Sequence, residues 1–441
     1  MLKTLVNACK NKDIRKKLIF TLLMLVVVRI GSLLPIPGVD TEYFTQLLGS
    51  MGNGDFSFLS AFTGGSFEKM SVFALSITPY ITSSIIMQLL TIAIPKLEEM
   101  QKEGEDGRKK IASITRYVTI ALALIESVAM GVGFGKQGLI KDYANMSTLH
   151  YVVAIILVVA ALTGGSAILM WIGERITENG VGNGISIVLL INIISGMPAD
   201  FVTLFSSFVT NKTIAKGVLA AAIIIAIVVL MVVLVCILQD GERRIPVQYS
   251  QKVAGRRMVG GQSTNIPLKV NTAGVMPVIF ASSIMQFPVI IANLVSSGTT
   301  YEWTKYISTS YWCRVDTPKY SLGLILYVIL IIVFAYFYTS ITFNPVEIAD
   351  NMKKSGGVVP GITPGKSTSE YLNRILNYIV LVGAIGLMIV ALIPILCTGF
   401  FNASVSFGGT SIIIIVGVVL ETLKQIEAQM CNRYYKGFLS E

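Results

Sequence analysis

Groups able to do covalent or acid–base chemistry are few in this 441-residue chain, and their spacing matches none of the usual catalytic arrangements. Five cysteines, Cys9, Cys236, Cys313, Cys397 and Cys431, share no CxxC spacing and sit mostly in or beside apolar runs, the pattern of buried free thiols. His150 is the single histidine, which excludes a His-rich metal site. There is no Walker loop, no GxSxG elbow and no HExxH helix. The residue types argue against an enzyme, and no metal or cofactor is expected. One carboxylate stands apart. Glu126, in Leu124-Ile125-Glu126-Ser127, lies deep in an apolar run, where an ionisable group is a functional candidate. Proton-coupled transport is one use for it. The other chemistry is anion recognition. Val247, Tyr249, Gln251 and Val253 alternate, and Gly255 can turn the chain, so a hairpin with Arg256 and Arg257 at its tip is expected. Such a pair suits an acidic protein or a phosphate, or it orients neighbouring spans in a membrane.

The elements that would position these groups are membrane helices. Apolar residues make up 53% of the chain and charged ones only 14%, against about a quarter in soluble domains. Ten apolar runs stand out, at 18–34, 70–94, 111–134, 151–172, 184–206, 214–238, 271–295, 321–342, 372–396 and 409–427. The first follows a basic stretch like a secretory signal. No small-residue cleavage site follows it, so it is read as a retained helix. An even number of spans puts both termini on one side, and the great majority of the 35 Lys and Arg fall in segments on that side. By the positive-inside rule both termini are cytoplasmic. Arg29, inside the first run, lies near its outer end and can reach outward. Dividing ten spans into five and five makes the second half inverted relative to the first, an arrangement typical of transporters.

Some spans carry more than grease. In the second run Ile77, Ile81 and Ile85 form one stripe, while Thr82, Ser83 and Gln88 are polar at membrane depth. They serve either helix packing or a polar path. The seventh run holds Asn271, Gly274, Pro277, Gln286 and Pro288, which make a marginal membrane helix. Between the first and second runs, Asp55-Phe56-Ser57-Phe58-Leu59-Ser60-Ala61-Phe62-Thr63-Gly64-Gly65-Ser66-Phe67 is apolar but far too short to span. A re-entrant segment or a plain external loop fits it. Residues 342–366 form a loop too long for a simple turn, and its Pro-Gly pairs at 360–361 and 364–365 argue for an ordered shape.

That loop, from Thr342-Phe343-Asn344-Pro345 to Thr363-Pro364-Gly365-Lys366, closely resembles one in the SecY family, the channel subunits of the bacterial protein-export machine. Three further stretches carry the same resemblance: Gly180-Val181-Gly182-Asn183-Gly184-Ile185-Ser186, residues 255–274, and Phe407-Gly408-Gly409-Thr410-Ser411. The resemblance implies an all-α integral membrane protein of ten transmembrane helices in two pseudo-symmetric inverted halves of five, with a re-entrant plug. The halves would be 1–195 and 214–441 about a hinge at 196–213, with cytosolic loops at 239–270 and 342–371. A pore ring would fall on Ile77, Ile81, Ile185, Leu189, Ile279 and Ile414. A lateral gate between spans two and seven would use Thr82, Ser83, Gln88, Glu126, Asn271, Ser283 and Phe287. The plug would include Phe58, Leu59, Phe62, Gly64 and Gly65. Partners would dock on Arg243, Arg244, Arg256, Arg257, Lys353, Lys354 and Lys366. The implied partners are SecE-like and SecG-like small subunits, the SecA ATPase, the ribosome, preprotein signal sequences and anionic lipids. The implied location is the bacterial cytoplasmic membrane. The chain departs from the family at Thr363, where Arg is usual, which weakens the docking assignment there. A secondary transporter is the rival reading, with Glu126 as its one deep carboxylate.

Overall fold

The computed structural model describes residues 10–50, 62–135, 139–140, 147–208, 214–249, 252–254, 257–259, 263–295, 301–308, 311–313, 318–401 and 409–436. Helix overlaps each of the ten apolar runs. The first half holds α1 (Lys12–Leu33), α2 (Thr41–Ser50), α3 (Thr78–Ala93), α4 (Pro95–Lys102), α5 (Glu105–Phe134), α6 (Thr148–Asn179) and α7 (Gly184–Phe208). The second holds α8 (Ile214–Asp240), α9 (Met276–Val295), α10 (Glu302–Ile307), α11 (Leu322–Thr342), α12 (Pro345–Ser355), α13 (Lys366–Phe401) and α14 (Gly409–Lys436). Six stretches are long and apolar enough to cross a membrane: Glu105–Phe134, Thr148–Asn179, Gly184–Thr203, Ala221–Asp240, Pro318–Ser355 and Lys366–Cys397. They become seven if α3 and α4, bent by 101° at Ile94-Pro95, count as one.

The second apolar run does not form one helix. Residues 62–77 are mostly turns, and α3 begins only at Thr78, with Pro79 in its first turn. The reason is a competing pairing. Ile36 N donates to Met70 O and Val72 N to Leu34 O, so the stretch before α3 lies along the end of α1 as a short bridge. The seventh run is also delayed, its helix starting at Met276 after a turn at Gly274 (φ +64). Arg29 is half-buried. Its Nη1 is buried and finds no hydrogen-bond partner among the described residues. The expected hinge at 196–213 is helix as far as Phe208, α7 running through Pro198, and 209–213 lie outside the described residues.

At one end the chain builds a small sheet. β1 (Glu242–Tyr249) is flanked by β4 (Ser263–Lys269) and β5 (Gly357–Val358), both antiparallel to it. β2 (Lys252–Ala254) and β3 (Arg257–Val259) pair as a hairpin that extends from it. Ile245 and Val247 of β1 are buried against Met352, Val359, Leu372 and Ile375, which seats the sheet on α12 and α13. The segment between α11 and α13 is fully organised by local signals. Asn344 caps α12, its side chain accepting from Val346 N and Glu347 N. Pro345 opens the helix, Lys353 and Lys354 lie in its last turn, and Gly356 ends it at φ +73. β5 then ties the segment to β1, so the two long loops form one body.

Candidate functional site

The expected collar residues come together. Ile77, Leu189, Ile279 and Ile414 are buried in one apolar cluster, with Ile81 and Ile185 packed against it. They arrive from separate elements: the start of α3, α7, α9 and α14. Helical spacing accounts for the pairs, Ile81 N donating to Ile77 O at 3.0 Å. Ile185 owes its place to glycine. A Cβ at Gly184 would collide with Gly173 O, and one at Gly173 would lie 2.9 Å from Ile185 Cγ1. Only bare backbone lets the start of α7 approach α6 so closely. Phe62, within the plug stretch, belongs to the same cluster, as do Val28 and Phe73. The arrangement joins apolar side chains from early and late parts of the chain, and apolar side chains neither draw ions nor bind one polypeptide sequence selectively.

The expected gate residues do not form one hydrogen-bonded group among the described residues. Thr82 donates to Thr78 O at 3.0 Å within α3. Ser83 is fully buried and bonds Thr119 Oγ1, joining α3 to α5. Gln88 and Ser283 are half-buried. Glu126 is half-buried on α5 and has no ion pair or hydrogen bond among the described residues. Asn271 is buried, and its Nδ2 finds no partner among the described residues. Phe287 lies on α9, and its side chain is outside the described set. α5 packs along α3 on one side and touches α9 on the other, so it is α5 that bridges the two expected gate helices.

Of the plug residues, Phe58 and Leu59 lie outside the described residues. Gly64 (φ +62) and Gly65 (φ +79) turn the chain after Phe62 and Thr63. A Cβ on Gly64 would lie 2.5 Å from Asn192 O and Ser195 Oγ, so this turn is pressed onto α7. Sequence reasoning missed the polar contacts at the end of the same stretch. Asn192 Nδ2 donates to Ser76 Oγ at 3.0 Å, and Ser166 Oγ donates to Ser76 O at 3.3 Å, all three residues buried. Ser76 adopts φ +52, an uncommon conformation for a residue with a Cβ. The amide of Asn192 in an otherwise apolar run was the signal available.

The expected docking residues gather at the sheet end. Arg243 and Arg244 are exposed on β1, Arg244 pairing with Glu242 at 2.6 Å. Ala254 pairs with Arg257, leaving Gly255 and Arg256 between the strands and outside the described residues. Lys353, Lys354 and Lys366 are exposed. Thr363 is also exposed, and its carbonyl accepts from Thr368 Oγ1 at 2.9 Å, closing the start of α13. Among the described residues no group of three or more His, Cys, Asp or Glu is arranged to hold a metal.

Comparison with known proteins agrees over the whole chain. Protein translocase subunit SecY of Streptomyces coelicolor is 43% identical over 454 aligned residues, covering 100% of both chains. Those of Halalkalibacterium halodurans and Mycobacterium tuberculosis are 42% and 40% identical with the same coverage. Among solved structures, a protein conducting channel superposes with TM-score 0.60 at 17% identity, covering 95% of this chain and 93% of that one. Sec61 from a canine ribosome-channel complex superposes with TM-score 0.58, again at 17% identity and the same coverage. The family model described as SecY matches residues 71–423, and with relatives this similar along its full length the chain belongs to the SecY family.

Proposed function

We propose that this chain is a protein-conducting channel, not an enzyme, in which the apolar collar of Ile77, Ile81, Ile185, Leu189, Ile279 and Ile414 seals a central path between the two halves. The single observation that carries the reading is the convergence of those six residues from four separate elements into one apolar cluster. An apolar constriction excludes water and ions by dewetting while it fits around many different polypeptides. Ten spans in two inverted halves would surround the path, with both termini in the cytoplasm of a bacterium. The seam along α3, α5 and α9 would be the lateral exit for apolar segments and signal sequences. The sheet end would face the cytosol, and its basic surface would receive the driving partner. A ribosome or a SecA-like ATPase fits it, with SecE-like and SecG-like subunits beside the spans and anionic lipids at the basic face.

The test is transport by the purified chain with its companion subunits in vesicles. Given motor and unfolded client, the client becomes protease-protected. Ile279→Asn places an amide in the collar, so resting ion conductance rises and clients with weak export signals are accepted. A client left wholly protease-accessible overturns the channel reading. Unchanged conductance and unchanged signal stringency in Ile279→Asn overturn the collar assignment alone.

A further inference from the structure

We propose that Tyr301 and Trp303, on the connection between α9 and α11, seat that end of the molecule in the headgroup region of a phospholipid bilayer. The connection lies away from the β-sheet. α8 leads into the sheet and α9 leads out of it, so the far ends of α9 and α11 sit at the opposite end of the helices. There the short helix α10 packs on α9 and on the turn at Pro318–Ser321. Tyr301 and Trp303 are 47% and 46% exposed. Their rings stack with centroids 6.5 Å apart and planes at 22°, which presents one flat amphipathic surface.

The support beneath this surface is rigid. Trp312 is fully buried, and its Nε1–H donates to Tyr306 O at 2.9 Å. Tyr320 meets Tyr306 edge to face at 4.9 Å, and Trp312 leans on Tyr327 of α11 at 5.6 Å. The fold thus buries one set of aromatic rings to hold α10 and leaves a second set facing outward.

The occupant follows from α11. Leu322, Ile325, Ile329 and Val333 are exposed at spacings of three and four residues, a continuous apolar stripe of the kind that faces lipid. The stripe begins at the first residue of α11, immediately after the turn against which α10 packs. The aromatic pair therefore lies at the level where the lipid-facing surface starts. Tyr and Trp favour that level because one part of each ring system is apolar and the other wants a polar partner. Lys319 adds a cation there, its Nζ 4.9 Å from the centre of the Tyr320 ring, and Lys305 lies on α10 itself. Both suit lipid phosphate.

The test uses the full chain with its companion subunits in phospholipid vesicles, reading tryptophan emission in native protein minus Trp303→Phe. Trp171, Trp312 and the companions cancel in that difference, and Trp303→Tyr serves as a second reference. Lipids brominated near the ester end of the acyl chain should quench the difference signal about twice as strongly as lipids brominated at mid-chain. Aqueous iodide should quench it weakly. Strong iodide quenching without bromolipid quenching overturns the proposal, because the pair then sits in water. Quenching by neither reagent also overturns it, because a protein subunit then covers the pair. Stronger quenching from mid-chain places the ring in the hydrocarbon and overturns it as well.

Discussion

Asn192 and Ser76 tie the stretch before α3 to α7. The stretch at 62–77 has little regular structure of its own, yet it supplies Phe62, Phe73 and Ile77 to the collar cluster. Apolar packing and the backbone pairing with Leu34 and Ile36 place it, and Asn192 Nδ2 to Ser76 Oγ ties its end to α7. The contact is incomplete, because Asn192 Oδ1 is buried and finds no partner among the described residues. Ser76 also holds an unfavourable φ of +52. Asn192→Leu keeps the volume but leaves Ser76 Oγ without its donor, at a cost of about 1–3 kcal/mol. If that cost falls on the seated state, roughly tenfold more molecules release the stretch for each 1.4 kcal/mol. Resting ion leak from vesicles should then rise about tenfold, and Ser76→Ala added to Asn192→Leu should add little more. Additive effects, or no leak, would show that the stretch is held by packing alone. The six collar positions came from the resemblance to the SecY family; the helical spacing of Ile77 with Ile81 and of Ile185 with Leu189 fits a collar and ordinary core packing equally well. The Asn192–Ser76 contact was not legible, since it depends on a backbone angle at Ser76 that no residue type announces.

At the scale of elements, the strongest sequence signals were those written into neighbouring residues. The alternation of Val247, Tyr249, Gln251 and Val253 with Gly255 announced a hairpin, and β2 and β3 pair on either side of Gly255, while β1 starts earlier, at Glu242. The 342–366 loop was expected only to be ordered, and its helix α12 is bounded by Asn344-Pro345 and Gly356. The late start of α3 was hidden, because the largely apolar run begins at 70, while the bridge to Leu34 and Ile36 and the positive φ at Met70 and Ser76 keep 70–77 out of the helix. The joining of the two loops through β5 was hidden for the same reason, being a contact between residues about a hundred positions apart. That joining separates two ways of weakening partner docking. Arg256→Glu with Arg257→Glu reverses charge on the hairpin and leaves the sheet intact, so affinity for ATPase or ribosome falls and its salt dependence shrinks. Val247→Asp instead buries a charge where Val247 is wholly enclosed by α12 and α13 neighbours, and the sheet should open. Limited proteolysis distinguishes them, with new cleavage within 242–269 expected only for Val247→Asp. Equal protease resistance in both variants would mean the sheet does not depend on its apolar seat.

For the whole molecule, what matters is which contacts between the halves give way. On one side α7 packs against α8 and α14. Near the sheet end Ile14, Val181 and Ile426 form a small buried cluster that joins α1 to α14, and Lys17 Nζ reaches Gln429 Oε1 at 3.5 Å. On the other side the substantial contact between halves is α5 against α9. Next to that contact, Asn271, just before α9, is buried with its Nδ2 lacking a partner among the described residues, and Glu126 on α5 is half-buried. Buried polar groups without partners lower the cost of parting a surface, because water or a passing segment can satisfy them. The halves should therefore separate along α5 and α9 while α1 and α14 stay together. Two disulfides in a chain freed of its own cysteines test this. Cysteines at Thr82 and Phe287, oxidised, tie α3 to α9 across the seam and should abolish transport, which reduction restores. Cysteines at Lys17 and Gln429, oxidised, tie α1 to α14 and should leave most transport intact. If the second lock blocks the client as completely as the first, the halves move as two free bodies and the seam has no special role.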